Sequence, residues 1–115
     1  MVIFDSLHDV FECQTHDEYS IPGSPVYLEM NFKTSNSLDV GVFTYGTAIL
    51  YQTKIMTLNP TNGTWKKIYI DLTTTLNAYS GMSTYRVYLG AFKDPGMNKD
   101  TICFDNFKIV TRKSK

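Results

Sequence analysis

From Val26 to Lys33 the chain alternates without a slip: Val26, Leu28, Met30 and Phe32 are apolar, with Tyr27, Glu29, Asn31 and Lys33 between them. A period of two puts the first set on one face of an extended strand and the second set on the other. A helix cannot use that pattern, and a strand that carries it needs a cover for its apolar face. The same period returns in Leu38-Asp39-Val40-Gly41-Val42-Phe43. It returns again where Ile68, Ile70 and Leu72 interleave with Lys67, Tyr69 and Asp71, and where Ser83 to Phe92 sets Tyr85, Val87, Leu89 and Ala91 on one face. A chain written this way has to build sheets that are wet on one side and buried on the other.

Turn residues separate these runs. Thr34-Ser35-Asn36-Ser37 joins two strands, 26–33 and 38–44, which read as a hairpin. Asn59-Pro60-Thr61-Asn62-Gly63 stops any regular element, as do Tyr45-Gly46-Thr47 and the loop Lys93 to Asp100 with Pro95-Gly96 at its tip. Val2-Ile3-Phe4 and Val10-Phe11-Glu12-Cys13 are short strands, followed by a polar loop from Gln14 to Ser24. Ala48 to Leu58 carries apolar residues on both parities, which predicts a strand that twists or changes partner midway. Trp65 is out of step with the Ile68 face and predicts a bulge or a rim position over the core. In Thr101 to Thr111 the apolar parity changes from Ile102 and Phe104 to Phe107 and Ile109, which predicts a bulge at Asp105-Asn106. Thr73 to Ser80 is the one helical segment, with Thr73 or Thr74 as cap and Gly81 as stop. About seven or eight strands at this spacing predict an all-β, two-sheet antiparallel sandwich.

At 115 residues the chain is one domain, and 43% hydrophobic with 14% aromatic content argues against disorder. Eleven basic residues balance eleven acidic ones, so there is no field to gather nucleic acid. The basic run Arg112-Lys113-Ser114-Lys115 reads as a solvated tail. No apolar run reaches the roughly 18 residues of a membrane span, and no signal peptide opens the sequence. Because Val2-Ile3-Phe4 starts as a strand at once, a domain cut from a larger exported polypeptide is favoured over a cytosolic protein. Cys13 and Cys103 lack metal-site spacing; they are either a disulfide between first and last strands or buried thiols.

The chemistry points to binding. No phosphate loop, nucleophile elbow or zinc-protease motif is present. His8 and His16, with Asp17 and Glu18 nearby, match no ligand pattern and read as loop histidines. Glu29 and Asp71 sit on the polar parity of their strands, as a glycosidase pair would, but a solvated sheet face explains them better. Tyr27, Phe43, Tyr45, Tyr51, Tyr69 and Tyr79 lie on wet parities or in turns, where flat rings can stack on sugars. Asn31, Lys33, Asp39 and Gln52 can hold hydroxyls beside them. The candidate ligand-binding set is Tyr27, Glu29, Asn31, Tyr45, Tyr51, Tyr69 and Asp71. Such a face would serve a polysaccharide, or a neighbouring domain of the parent polypeptide in a protein-interaction or spacer role.

Three stretches in order carry a resemblance: Val26 to Lys33; Trp65-Lys66-Lys67-Ile68-Tyr69-Ile70-Asp71-Leu72; and Ile102-Cys103-Phe104-Asp105-Asn106 running on to Val110. Together they resemble the galactose-binding-like β-jelly rolls that serve as carbohydrate-binding modules, in which a W-x-x-I-x-I-D-L strand sits mid-domain. The resemblance implies a jelly roll, a non-catalytic role and an extracellular or cell-surface setting, commonly bacterial. It also implies a possible structural calcium, held by an acidic residue near the first strand and the aspartate of the last. Here those are Glu12 or Asp9 with Asp105. The residue-level alternative is that Asp105 caps its own bulge.

Overall fold

The computed structural model describes residues 2–4, 10–21, 25–92 and 100–111. In chain order the elements are β1 (Val2–Phe4), β2 (Val10–Gln14), β3 (Tyr19–Ser20), β4 (Val26–Thr34), β5 (Leu38–Gly46), β6 (Ile49–Leu58), β7 (Lys66–Asp71), α1 (Thr73–Leu76), β8 (Met82–Phe92) and β9 (Asp100–Thr111). The loop expectations at 22–24 and 93–99, the tail 112–115, His8 and Asp9 lie outside the described residues. Among the described residues no helix is long and apolar enough to cross a membrane.

One sheet runs β1-β9-β4-β7 and the other β2-β8-β5-β6, with β3 adding to β8. Every pair is antiparallel. Apart from β3, this order is the double Greek key of a jelly roll. The apolar parity of β4 (Val26, Leu28, Met30, Phe32) meets that of β5 and β8 (Leu38, Val40, Val42, Val87, Leu89) in one buried cluster. That cluster is the reason two sheets form: each sheet's oily face covers the other's.

The expected hairpin between 26–33 and 38–44 does not form. Strand β4 pairs with β7 and β9, whereas β5 pairs with β6 and β8. Both strands are apolar on one face, so they do better facing each other across the core than lying side by side. A buried polar clamp holds the crossing. The Asn36 side chain donates to Phe92 O at 2.8 Å and Ser37 O at 2.7 Å, and Thr34 Oγ1 accepts Asn36 N–H at 2.9 Å.

The predicted bulge in β9 is present. Glu29 pairs with Lys108 and Asn31 with Asp105, so Met30 faces two residues, Asn106 and Phe107. Asn106 takes φ 53°, and its N–H donates to Asp105 Oδ1 at 2.8 Å. A second bulge was not placed by the sequence. Met56 pairs with Val40 and Lys54 with Gly41, which leaves Ile55 as the extra residue of β6. The strand keeps one partner throughout, and the bulge, not a change of partner, moves its inward parity from Met56 to Thr53 and Tyr51. Trp65 needs no bulge: it precedes β7, stands half-exposed, and has the Lys33 ammonium 5.5 Å from its ring centroid. It covers that lysine, not the core.

The helix is shorter than expected. Three successive threonines lose side-chain freedom in a helix, so it ends at Leu76, which is buried. Neither Thr73 nor Thr74 supplies the cap. Thr73 N–H donates to Asp71 Oδ1 at 2.8 Å, while the Thr73 hydroxyl accepts Val26 N–H at 3.0 Å. The short strand β3 was also missed within a segment that reads as loop. The cysteines are unpaired: Cys13 points inward from β2, and Cys103 lies opposite Lys33 in the other sheet. Burial pushes the Cys13 thiol above its ordinary value.

Two stability predictions arise here. Ala48 holds φ 58° between β5 and β6, a conformation that costs an L-residue roughly 1 kcal/mol. Ala48→Gly should therefore raise the urea midpoint, with a gain of up to about 1 kcal/mol. Thr44 is buried on the inner face of β5, and its hydroxyl has no hydrogen-bond partner. Thr44→Val removes that orphan at constant shape and should stabilise by about 1 kcal/mol in the same titration.

Candidate functional site

A sandwich has two outer faces, and the candidate residues divide between them. Register places Tyr27 opposite Asp71, Glu29 opposite Tyr69 and Asn31 opposite Lys67, so five of the candidates do share the outer face of the four-stranded sheet. Both carboxylates and the Tyr69 ring are already engaged. Lys67 Nζ stands 2.8 Å from Glu29 Oε1 and 5.3 Å from the centroid of the Tyr69 ring. The hydrogen bond to Lys67 holds the Glu29 carboxyl below its usual range, and hydrogen bonds from Thr73 do the same for Asp71. A glycosidase acid needs its pKa raised, and here both carboxylates are pulled the other way.

Tyr45 and Tyr51 do not join this group. Tyr45 pairs with Leu50 and Thr84 on the outer face of the other sheet. The β6 bulge turns Tyr51 to the inward parity, where its ring stacks on Tyr79 with centroids 4.0 Å apart and planes at 10°. The calcium pair is also separated. Glu12 pairs with Gly90 in the five-stranded sheet and Asp105 with Asn31 in the four-stranded one, both on outward parities. They lie on opposite sides of the core, so no single ion can join them. Asp105 instead serves its bulge. Among the described residues no three His, Cys, Asp or Glu side chains converge as a metal site, and Asp9 lies outside them.

The outer face of the five-stranded sheet is built differently. Gly90 in β8 is flanked in one row by Glu12 of β2 and Asp39 of β5. In the next row Tyr88 lies beside Gly41. Because Gly41 has no side chain, the Tyr88 ring folds down over it and is only 6% exposed. Phe43 packs against Tyr88 with ring centroids 5.0 Å apart at 45°. On the other side of Gly90 stands Phe92, 71% exposed and the most open large apolar side chain among the described residues. Together these leave a shallow depression of about 180 Å³ over Gly90, walled by Tyr88 and Phe92 and edged by Glu12, Asp39 and Gln52. Asp39 Oδ1 accepts the Thr57 hydroxyl at 2.7 Å. Burial pushes the Tyr88 phenol up; a hydrogen bond with Gln52 opposes this, and the charges of Asp39 and Glu12 add to it. Tyr88 therefore presents a neutral hydroxyl at physiological pH.

No family model and no curated protein matches this chain. What the face can hold is set by its own geometry. The depression offers aromatic carbon, two carboxylates, an amide and a phenol around a floor without a side chain, which suits a small polar ring with apolar faces. A larger cleft of about 230 Å³ opens between the sheets beside Cys13, Val87, Leu89, Phe104 and Phe107. Its lining is mainly apolar, and the Thr15 hydroxyl at its edge already accepts Val87 N–H at 3.2 Å.

Sequence reasoning singled out Asp39, Gln52 and Phe43 as wet-face residues but passed over Tyr88, Gly90 and Phe92. Their signal was present. They occupy the alternate parity of Ser83 to Phe92, opposite the buried Val87, Leu89 and Ala91, as an aromatic-gap-aromatic ladder.

Proposed function

We propose that this is a non-catalytic carbohydrate-binding domain that seats a sugar ring over Gly90 on the outer face of the five-stranded sheet. The carrying observation is the ladder Tyr88–Gly90–Phe92, with Glu12, Asp39 and Gln52 around it. Phe92, 71% exposed, supplies the open surface for a C–H face, Tyr88 closes the wall opposite it, and the polar groups supply acceptors and donors for hydroxyls. A polysaccharide ligand suits a secreted or surface protein. The outer face of the other sheet takes second place, since Lys33 and Lys67 already sit over Trp65 and Tyr69.

The test fills the site without breaking the fold. A Cβ added at Gly90 meets Phe11 O at 3.7 Å and Tyr88 Cδ2 at 3.9 Å, both ordinary contacts. Gly90→Val should therefore keep the melting temperature while lowering affinity for a glycan found by array or affinity gel at least tenfold. Phe92→Ala should weaken it too. If Gly90→Val binds like wild type, the site lies elsewhere. A second reading, docking of a neighbouring domain, draws on Ile49 and Leu50, which are 48% and 58% exposed at the start of the edge strand β6. Silence across a broad glycan array would favour it.

A further inference from the structure

Resting on that reading, we propose that the sugar selected by the Gly90 depression carries a free, protonated amine. The argument is charge complementarity within one row of the sheet. Glu12 and Asp39 are both register partners of Gly90, one from each side. Their Cα atoms therefore stand two strand spacings apart, about 10 Å, with no side chain between them. A ring seated on that floor has a carboxylate at either flank. Asp39 gives one oxygen to Thr57, which fixes the orientation of its carboxylate beside Gly90. Among the described residues, the basic groups on this face stand off the row. Lys54 pairs with Gly41 one row away on the outermost strand, and Arg86, a further row on, donates to Thr15 O at 3.3 Å. Neither neutralises the pair by direct contact.

Two negative charges beside aromatic rings favour an ammonium twice over. The carboxylates attract it directly, and the exposed ring of Phe92 adds a cation–π contribution. The same field repels uronic acids and sulfated sugars, so one arrangement both selects and excludes. The whole chain carries no net charge, so the preference is local to the site and not a general affinity for polycations.

The experiment is titration calorimetry of the intact chain with three tetrasaccharides: glucosamine, N-acetylglucosamine and galacturonate. Wild type, Glu12→Gln, Asp39→Asn and Gly90→Val are compared at low and at physiological salt. The glucosamine tetramer should bind roughly tenfold or more tightly than its N-acetylated counterpart, a preference of about 1.4 kcal/mol. The preference should shrink in Glu12→Gln and in Asp39→Asn and weaken with salt, while galacturonate shows no binding. Equal binding of the amine and the N-acetyl sugar, or galacturonate bound as well as either, overturns the amine preference and leaves carbohydrate binding standing. Glucosamine binding that Gly90→Val leaves untouched places the amine away from this depression and overturns the proposal as well. Failure of all three sugars, joined to silence on neutral glycans, overturns both this inference and the reading beneath it.

Discussion

Gly41→Ala is expected to cost about 3 kcal/mol or more, a large fraction of what a domain of this size holds in reserve. The added methyl would collide on two sides. It would stand 2.5 Å from the Tyr88 Cζ and hydroxyl, and it would press on the backbone carbonyl of Thr53. The tyrosine ring can swing away, but the carbonyl belongs to the hydrogen-bonded strand β6 and cannot move alone. The close approach coincides with the extra residue Ile55, where the pairing of β5 with β6 shifts register next to Gly41. A urea titration of wild type, Gly41→Ala, Tyr88→Leu and the double variant would separate the two collisions. The double variant should recover only part of the loss, because removing the phenol leaves the carbonyl in place. Full additivity would show that the ring does not rest on Gly41. The substitution should also displace Tyr88 from the wall of the proposed sugar site, so affinity should fall in whatever fraction remains folded.

Two of the bulges, in β9 and β6, show what the sequence could and could not reveal. In β9 the apolar parity breaks cleanly at Asp105-Asn106, and both residues favour the conformation a bulge requires, so pattern and chemistry agreed. In β6 the run from Ile49 to Leu58 is apolar on both parities, and Ile55 could be the extra residue only once its partner was known. That ambiguity alone hid the placement of Tyr51 on the core-side parity of β6, where its ring, still 39% exposed, stacks on Tyr79. The parity of each long strand was readable, because burial follows alternation along a single segment. Which strands share a sheet was not. Leu38 to Phe43 pairs equally well on paper with Val26 to Lys33 or across the core from it, and the buried Asn36 clamp that settles the matter looks like ordinary turn composition. The candidate site inherited this gap. Its row of Glu12, Gly90 and Asp39 joins residues from three separate segments, and only the strand order brings them together.

Leu28→Ala should lower stability by about 3 kcal/mol, while Glu29→Ala, its neighbour, should leave the urea midpoint close to wild type. Leu28 is 0% exposed on β4, flanked by Ile70 of β7 and Ile109 of β9. Removing three carbons there forfeits their transfer energy and leaves a cavity that strands pinned on both sides cannot close. Glu29 is one residue along but on the outer face, where it pairs with a half-exposed Lys67 and solvent screens the pair from one side. The contrast between the two positions tests the register itself, since a slip of one residue would exchange inner and outer sets along the whole strand. Comparable losses at both positions, or a greater loss at Glu29, would contradict the packing of β4 against the five-stranded sheet. Without that packing, the row of Glu12, Gly90 and Asp39 would have no rigid backing on which to hold a ligand.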